Sequence, residues 1–204
     1  MVHTQLIQRG IKDSRVLEAM RKCPRHLFVE PALAGRAYGD SSLPIGEKQM
    51  ISQPYIVAFM TEALGLTGEE KVLEVGTGSG YQTAVLAQLA QNVFSVERVR
   101  TMATRARSVL DQLGCYNVAI QVGDGTIGWS EHAPFDAILV TASSCWIPRP
   151  LLEQLGTHGR LVIPLGDEKS QQLKRVCVTP SGLKEEDLGD CRFVKLVGRY
   201  GWPH

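Results

Sequence analysis

Apolar residues recur at two different periods along this chain, and the change from one to the other divides it. Over residues 13–22, Val16, Leu17 and Met20 share one side of a helical wheel behind Asp13, a residue type that caps helices, and Pro24 follows. A short helix is expected there. A second helix is expected over 29–38. From 39 to 54 the run GDSSLPIGEKQMISQP, rich in Gly, Ser and Pro, reads as a long irregular loop. Loops of that length inside a compact domain generally serve a site. Pro54 suits the first turn of a third helix reaching Leu64, with Ile56, Val57, Phe59, Met60 and Ala63 apolar.

From Lys71 short apolar runs alternate with helical patterns. Strands are expected at 71–75, 92–97, 117–122, 135–141 and 160–166, and helices at 81–90, 99–113 and 150–155. Arg98, Arg100, Arg105 and Arg107 fall off the apolar stripe of the 99–113 helix and read as a solvated face. Such alternation implies a parallel sheet covered on both faces. Near the C-terminus, 173–180 and 190–198 read as two strands around an acidic turn, hence an antiparallel pair. The expected fold class is α/β: a doubly wound, mostly parallel, Rossmann-like sheet with an antiparallel C-terminal strand pair and an N-terminal helical and loop extension. One domain is expected over 1–204, with 1–66 as the extension, 67–166 as the cofactor-binding core and 167–204 as the strand pair.

Composition removes several function classes. Among 204 residues, 22 Lys plus Arg nearly balance 21 Asp plus Glu, so no field draws in a nucleic-acid backbone or an anionic membrane. No run is long and apolar enough to cross a bilayer, and the first residues lack the apolar core of a signal peptide. The five cysteines show no metal-ligand spacing, so no metal site is expected, and reduced thiols in a cytoplasmic protein account for them.

Candidate chemistry centres on EVGTGSG, which follows the first strand of the alternating region. A P-loop would place a lysine directly after its glycines, but the next lysine is Lys169. A dinucleotide fingerprint would place its third glycine at 81, where this chain has Tyr81; the glycines fall instead at 76, 78 and 80. S-adenosyl-L-methionine has no pyrophosphate to seat on a helix. It offers an ammonium, which Glu74 suits, and a ribose, whose two hydroxyls suit Glu97 at the end of the second strand. Asp124, after the third strand, suits the adenine amine. Alternative readings are that Glu74 caps a helix, that Glu97 pairs with an arginine of its own helix, and that Gly123 and Gly125 only shape a turn.

From 24 to 198 the chain resembles the protein-L-isoaspartate O-methyltransferase family, in its bacterial branch. The resemblance lies in AYGDSSLPIGEKQMISQP, VLEVGTGSGYQTAVLAQLA, VFSVER, GDGTIGW, APFDAILVTA, IPRPLLEQLG and GRLVIPLG. It implies methyl transfer from S-adenosyl-L-methionine to the free α-carboxylate of L-isoaspartyl residues in damaged proteins and peptides, the first step of repair through a succinimide. It also implies Ser52 as the active-site hydroxyl, Ile51, Gln53 and Val194 against the substrate, and Glu74, Gly76, Thr77, Gly78, Gly80, Glu97, Asp124 and Gly125 around the cofactor. Met50, Ser143 to Trp146 and Lys195 depart from the family pattern, all in substrate regions.

The implied chemistry suits a sparse site. A carboxylate is ionised at neutral pH and is itself the nucleophile, so no attacking base is required, and the five histidines show no acid–base constellation. A serine hydroxyl then orients one carboxylate oxygen, unless Ser52 merely caps the helix that starts at Pro54. Competing readings are a methyltransferase of another substrate, a nucleoside-binding module without catalysis and an NAD-dependent dehydrogenase.

Overall fold

A computed structural model describes residues 1–203. Its main sheet has seven strands in the order β5-β4-β3-β6-β7-β8-β9. The strands are β3 (Lys71–Val75), β4 (Asn92–Glu97), β5 (Val118–Val122), β6 (Phe135–Val140), β7 (Leu155–Gly166), β8 (Gln171–Thr179) and β9 (Gly182–Cys191). Five run parallel, and β8 and β9 are antiparallel to their neighbours. The helices are α1 (Ser14–Lys22), α2 (Pro54–Leu64), α3 (Tyr81–Ala87), α4 (Arg100–Gln112) and α5 (Arg149–Glu153). A separate hairpin joins β1 (Leu43–Gly46) to β2 (Gln49–Ile51).

Strand alternation divides the core into two layers, because successive side chains point to opposite faces. Val72, Ala137, Leu139 and Val162 pack on one face with residues of α1, α2 and α3. Leu73, Val75, Ile138, Val140, Leu161 and Ile163 pack on the other with Leu151 and Leu196. The expected α/β class is observed, and the five parallel strands lie where periodicity placed them, except that β7 begins at Leu155 rather than 160.

Four expectations change. The stretch 29–38 holds only a 3-10 run, Pro31–Arg36, with no buried residue to reward a full helix and Gly35 inside it. The 39–54 loop contains the β1–β2 hairpin, where Leu43, Ile45 and Ile51 are buried although Pro44 and Gly46 obscure the period of two. The expected acidic turn is itself β9, while residues 193–198 lie beyond the sheet's strands. An edge strand exposed on both faces carries no apolar period, and β9 is held by charge across the register: Asp187 pairs with Lys174, and Glu186 with Arg175. Finally, two of the presumed solvated arginines are engaged. Arg107 donates to Val118 O (2.9 Å) and Cys115 O (3.2 Å), and Arg105 pairs with Glu30.

Candidate active site

The parallel register decides which groups meet. Val75 lies level with Val96 on one side and Val140 on the other. Gly76, Glu97 and Thr141 therefore leave the sheet side by side, beyond its carboxyl edge and where strand order reverses. Gly76 N–H donates to Val96 O (2.9 Å), and Thr141 donates to Val75 O through its N–H (2.9 Å) and to Gly76 O through its hydroxyl (2.6 Å). Gly76 has φ of +99°, and a Cβ there would stand 2.3 Å from Thr141 Oγ1, so only glycine fits.

Glu97 closes this turn from the neighbouring strand. Its Oε2 accepts from Gly78 N–H and its Oε1 from Val99 N–H, both at 2.9 Å. It makes no ion pair with an arginine of its own helix. A carboxylate can accept about four hydrogen bonds, so each oxygen keeps a site for a hydroxyl. Glu97 lines a pocket together with Gly76, Thr77, Gly78 and Gly125 from the strand ends, Ile51 and Ser52 from the 39–54 segment, and Val194 from the C-terminal segment. Gln53 lines an adjoining outer groove, where its side chain donates to Asp40 Oδ1 at 2.7 Å. Pocket and groove share Met50, Ser52, Thr141, Phe193 and Val194.

Three of the expected cofactor residues, Glu74, Gly80 and Asp124, are not among those that line the pocket. Glu74 is 0% exposed, and its Oε2 accepts from Thr83 Oγ1 (2.5 Å) and Ser95 Oγ (2.6 Å). Ser95 Oγ in turn shares a 2.6 Å hydrogen bond with Thr77 Oγ1. Glu74 thus fixes the glycine turn through Ser95 and Thr77. Burial pushes its pKa up to about 8, against the two hydroxyl donors and with some help from the Glu97 charge. Gly80 precedes α3 with φ of +89°, and a Cβ there would stand 3.0 Å from Ala106 Cβ, so it serves the approach of α3 to α4. Asp124 accepts from Thr126 and, through Oδ2, from Arg199 N–H at 2.7 Å, which ties the C-terminal segment to the end of β5.

That C-terminal segment forms the pocket's cover. Ser143 N–H donates to Val194 O and Leu196 N–H to Ser143 O, both at 2.7 Å, while Trp202 Nε1 donates to Ser143 O at 3.0 Å. Facing it, the Ser52 hydroxyl does not cap α2: the N-cap is Gln53, and no side chain caps that end.

A family model for protein-L-isoaspartate(D-aspartate) O-methyltransferase matches residues 1–201. The chain belongs to this family. It is similar to the protein-L-isoaspartate O-methyltransferase of Syntrophus aciditrophicus, 61% identical over 99% of this chain and 94% of the relative. A solved protein-L-isoaspartate O-methyltransferase superposes with a TM-score of 0.86 at 29% identity, over 98% of this chain and 67% of that one. A Plasmodium falciparum structure in complex with S-adenosyl-L-homocysteine shares the fold, with a TM-score of 0.82 at 24% identity over 96% of each chain. The protein is a methyltransferase that uses S-adenosyl-L-methionine. No helix among the described residues is long and apolar enough to cross a membrane.

Within this isoaspartyl methyltransferase, sequence reading missed Thr141, which lies on the walls of both spaces, and Arg25. Thr141 gave a weak signal as the last residue of an apolar run. Arg25 gave none, because a lone arginine before an apolar stretch ordinarily reads as surface.

Proposed function

We propose that the chain methylates the free α-carboxylate of L-isoaspartyl residues in damaged proteins and peptides, and that the residues on the two walls divide that work. The observation that carries this reading is that Ser52, Thr141 and Val194 line both the strand-end pocket and the outer groove. A small cofactor in the pocket and an extended peptide in the groove would both reach these residues.

The strand-end wall fits S-adenosyl-L-methionine by its chemistry: a turn too tight for a Cβ at Gly76, and a carboxylate at Glu97 whose two anchored oxygens each keep an acceptor site. When bound, the cofactor supplies an electrophilic methyl group on a sulfonium. Glu97 holds the ribose hydroxyls, Gly76, Thr77, Gly78 and Gly125 shape the seat, and Glu74 supports it from behind. On the other wall the Ser52 hydroxyl donates to one oxygen of the substrate carboxylate and turns the second towards the methyl. Ile51 and Val194 enclose that carboxylate, and Gln53, braced on Asp40, shapes the groove for the peptide. Excluding water there favours a reaction in which opposite charges cancel. The partners are peptides and proteins carrying the lesion, not nucleic acids or membranes, and a cytoplasmic setting suits the five free cysteines.

The test is a paired-peptide assay with labelled cofactor: methylation of an isoaspartyl peptide, and none of its normal aspartyl twin. Equal labelling of both would move the assignment to another substrate. Ser52→Ala should lower kcat by roughly 10–100-fold with S-adenosyl-L-homocysteine affinity unchanged; full turnover would remove the hydroxyl from the mechanism.

A further inference from the structure

Arg25 lies in the 3-10 turn Arg25–Phe28 and is 0% exposed, yet no carboxylate answers its charge in any ion pair among the described residues. Burying a guanidinium without a carboxylate partner is costly, so its presence calls for a role that a neutral side chain could not fill. Its donors supply one. Nε donates to Ala37 O and Nη2 to Ser52 O, both at 2.7 Å, and the guanidinium lies 4.7 Å from the Tyr81 ring centroid. Tyr81 opens α3 directly after the glycine turn and lines the cofactor pocket. One rigid fork therefore joins the N-terminal segment, the Ser52 peptide and the first residue past the cofactor turn.

We propose that Arg25 is a positioning residue for Ser52, holding in place the backbone that carries its hydroxyl by bonding its carbonyl. This inference rests on the role given to Ser52 above. The Ser52 carbonyl lies before the helix: Val57 N–H bonds Gln53 O, and the N-cap is Gln53. The residue after Gln53 is Pro54, which has no N–H to share. Upstream, Ile51 is fixed opposite Leu43 in the β1–β2 hairpin. The orientation of the intervening peptide is then set by the bond from Arg25. Without that bond the backbone at Ser52 is anchored from Ile51 alone, so the Cα that carries the hydroxyl can shift away from the residues shared by pocket and groove.

A double-mutant cycle with Arg25→Lys and Ser52→Ala tests this. Lysine keeps the charge but not the two-pronged geometry. Arg25→Lys should lower kcat on the isoaspartyl peptide by roughly 10–100-fold, the range expected for a misplaced orienting group, with S-adenosyl-L-homocysteine affinity near wild type. In the Ser52→Ala background the same substitution should cost nothing further, a non-additivity that a purely structural role would not produce. Equal losses in both backgrounds, or full turnover of Arg25→Lys, would overturn the inference. Full turnover of Ser52→Ala alone would instead strike the role given to Ser52, so the two failures are distinguishable. Should Arg25→Lys lack a cooperative melting transition, Arg25→Met, of similar length and without a buried charge, enters the same cycle. If that variant is also unfolded, Arg25 is a residue of the fold and the inference fails.

Discussion

The two walls of the candidate active site are built in opposite ways. The strand-end wall comes from consecutive units of one motif, so that Gly76, Glu97 and Gly125 are neighbours because parallel strands keep register. The opposite wall gathers Ser52 from a hairpin exit, Val194 from the chain's end and Arg25 from beneath, and no common element carries them. Damage to the first wall should therefore appear as lost cofactor binding and stability, and damage to the second as lost turnover.

The largest expected effect that sharpens this contrast is at Gly76. Gly76→Ala combines a positive φ with a Cβ 2.3 Å from Thr141 Oγ1. It should cost about 2–4 kcal/mol of stability, read by denaturant unfolding, and abolish measurable cofactor binding. Next comes Glu97→Gln, which keeps a carbonyl acceptor but loses the charge and one acceptor oxygen. S-adenosyl-L-homocysteine should bind about 10–100-fold more weakly by calorimetry, as for a lost charge-assisted hydrogen bond, while the peptide KM at saturating cofactor holds. A change in peptide KM alone would mean that the two walls are not separable in this way.

The last effect concerns Glu74 and is one of pH. Its carboxyl is raised from an ordinary 4.5 to about 8 by burial. Between those values the folded protein holds a proton that the unfolded chain has released, so this group's contribution to stability falls as pH rises from 4.5 to about 8 and changes little outside that window. Glu74→Gln, neutral throughout, should show a flatter dependence of melting temperature on pH across the same window. Parallel curves for the two proteins would mean that Glu74 is ionised in its pocket.

Legibility in the sequence followed the same division. Alternating periods revealed β3 to β7 and the glycine turn between β3 and α3, because each is a local pattern that packing on two faces enforces. They did not reveal β9, whose solvated faces leave charge pairing as its only signature, nor the β1–β2 hairpin, broken in pattern by Pro44 and Gly46. Glu74 and Glu97 looked equivalent as acids at strand ends. They differ because one side chain turns into the layer holding Ser95 and Thr83, and the other crosses the turn to Gly78. Family resemblance alone brought Ser52 and Val194 into view, since neither stands in a spacing that chemistry demands.

By itself the sequence determined the five parallel strands and the glycine turn after the first of them, because periodicity and glycine spacing are short-range properties. Tertiary structure alone decided that Glu74 is buried against Ser95, that Asp124 meets Arg199, that Val194 and Leu196 bond Ser143 beyond the strand ends, and that Arg25 reaches the peptide of Ser52. The physical reason is that the burial, charge and hydrogen-bond partners of a side chain depend on groups distant in the chain, which only the packed fold brings within 3 Å.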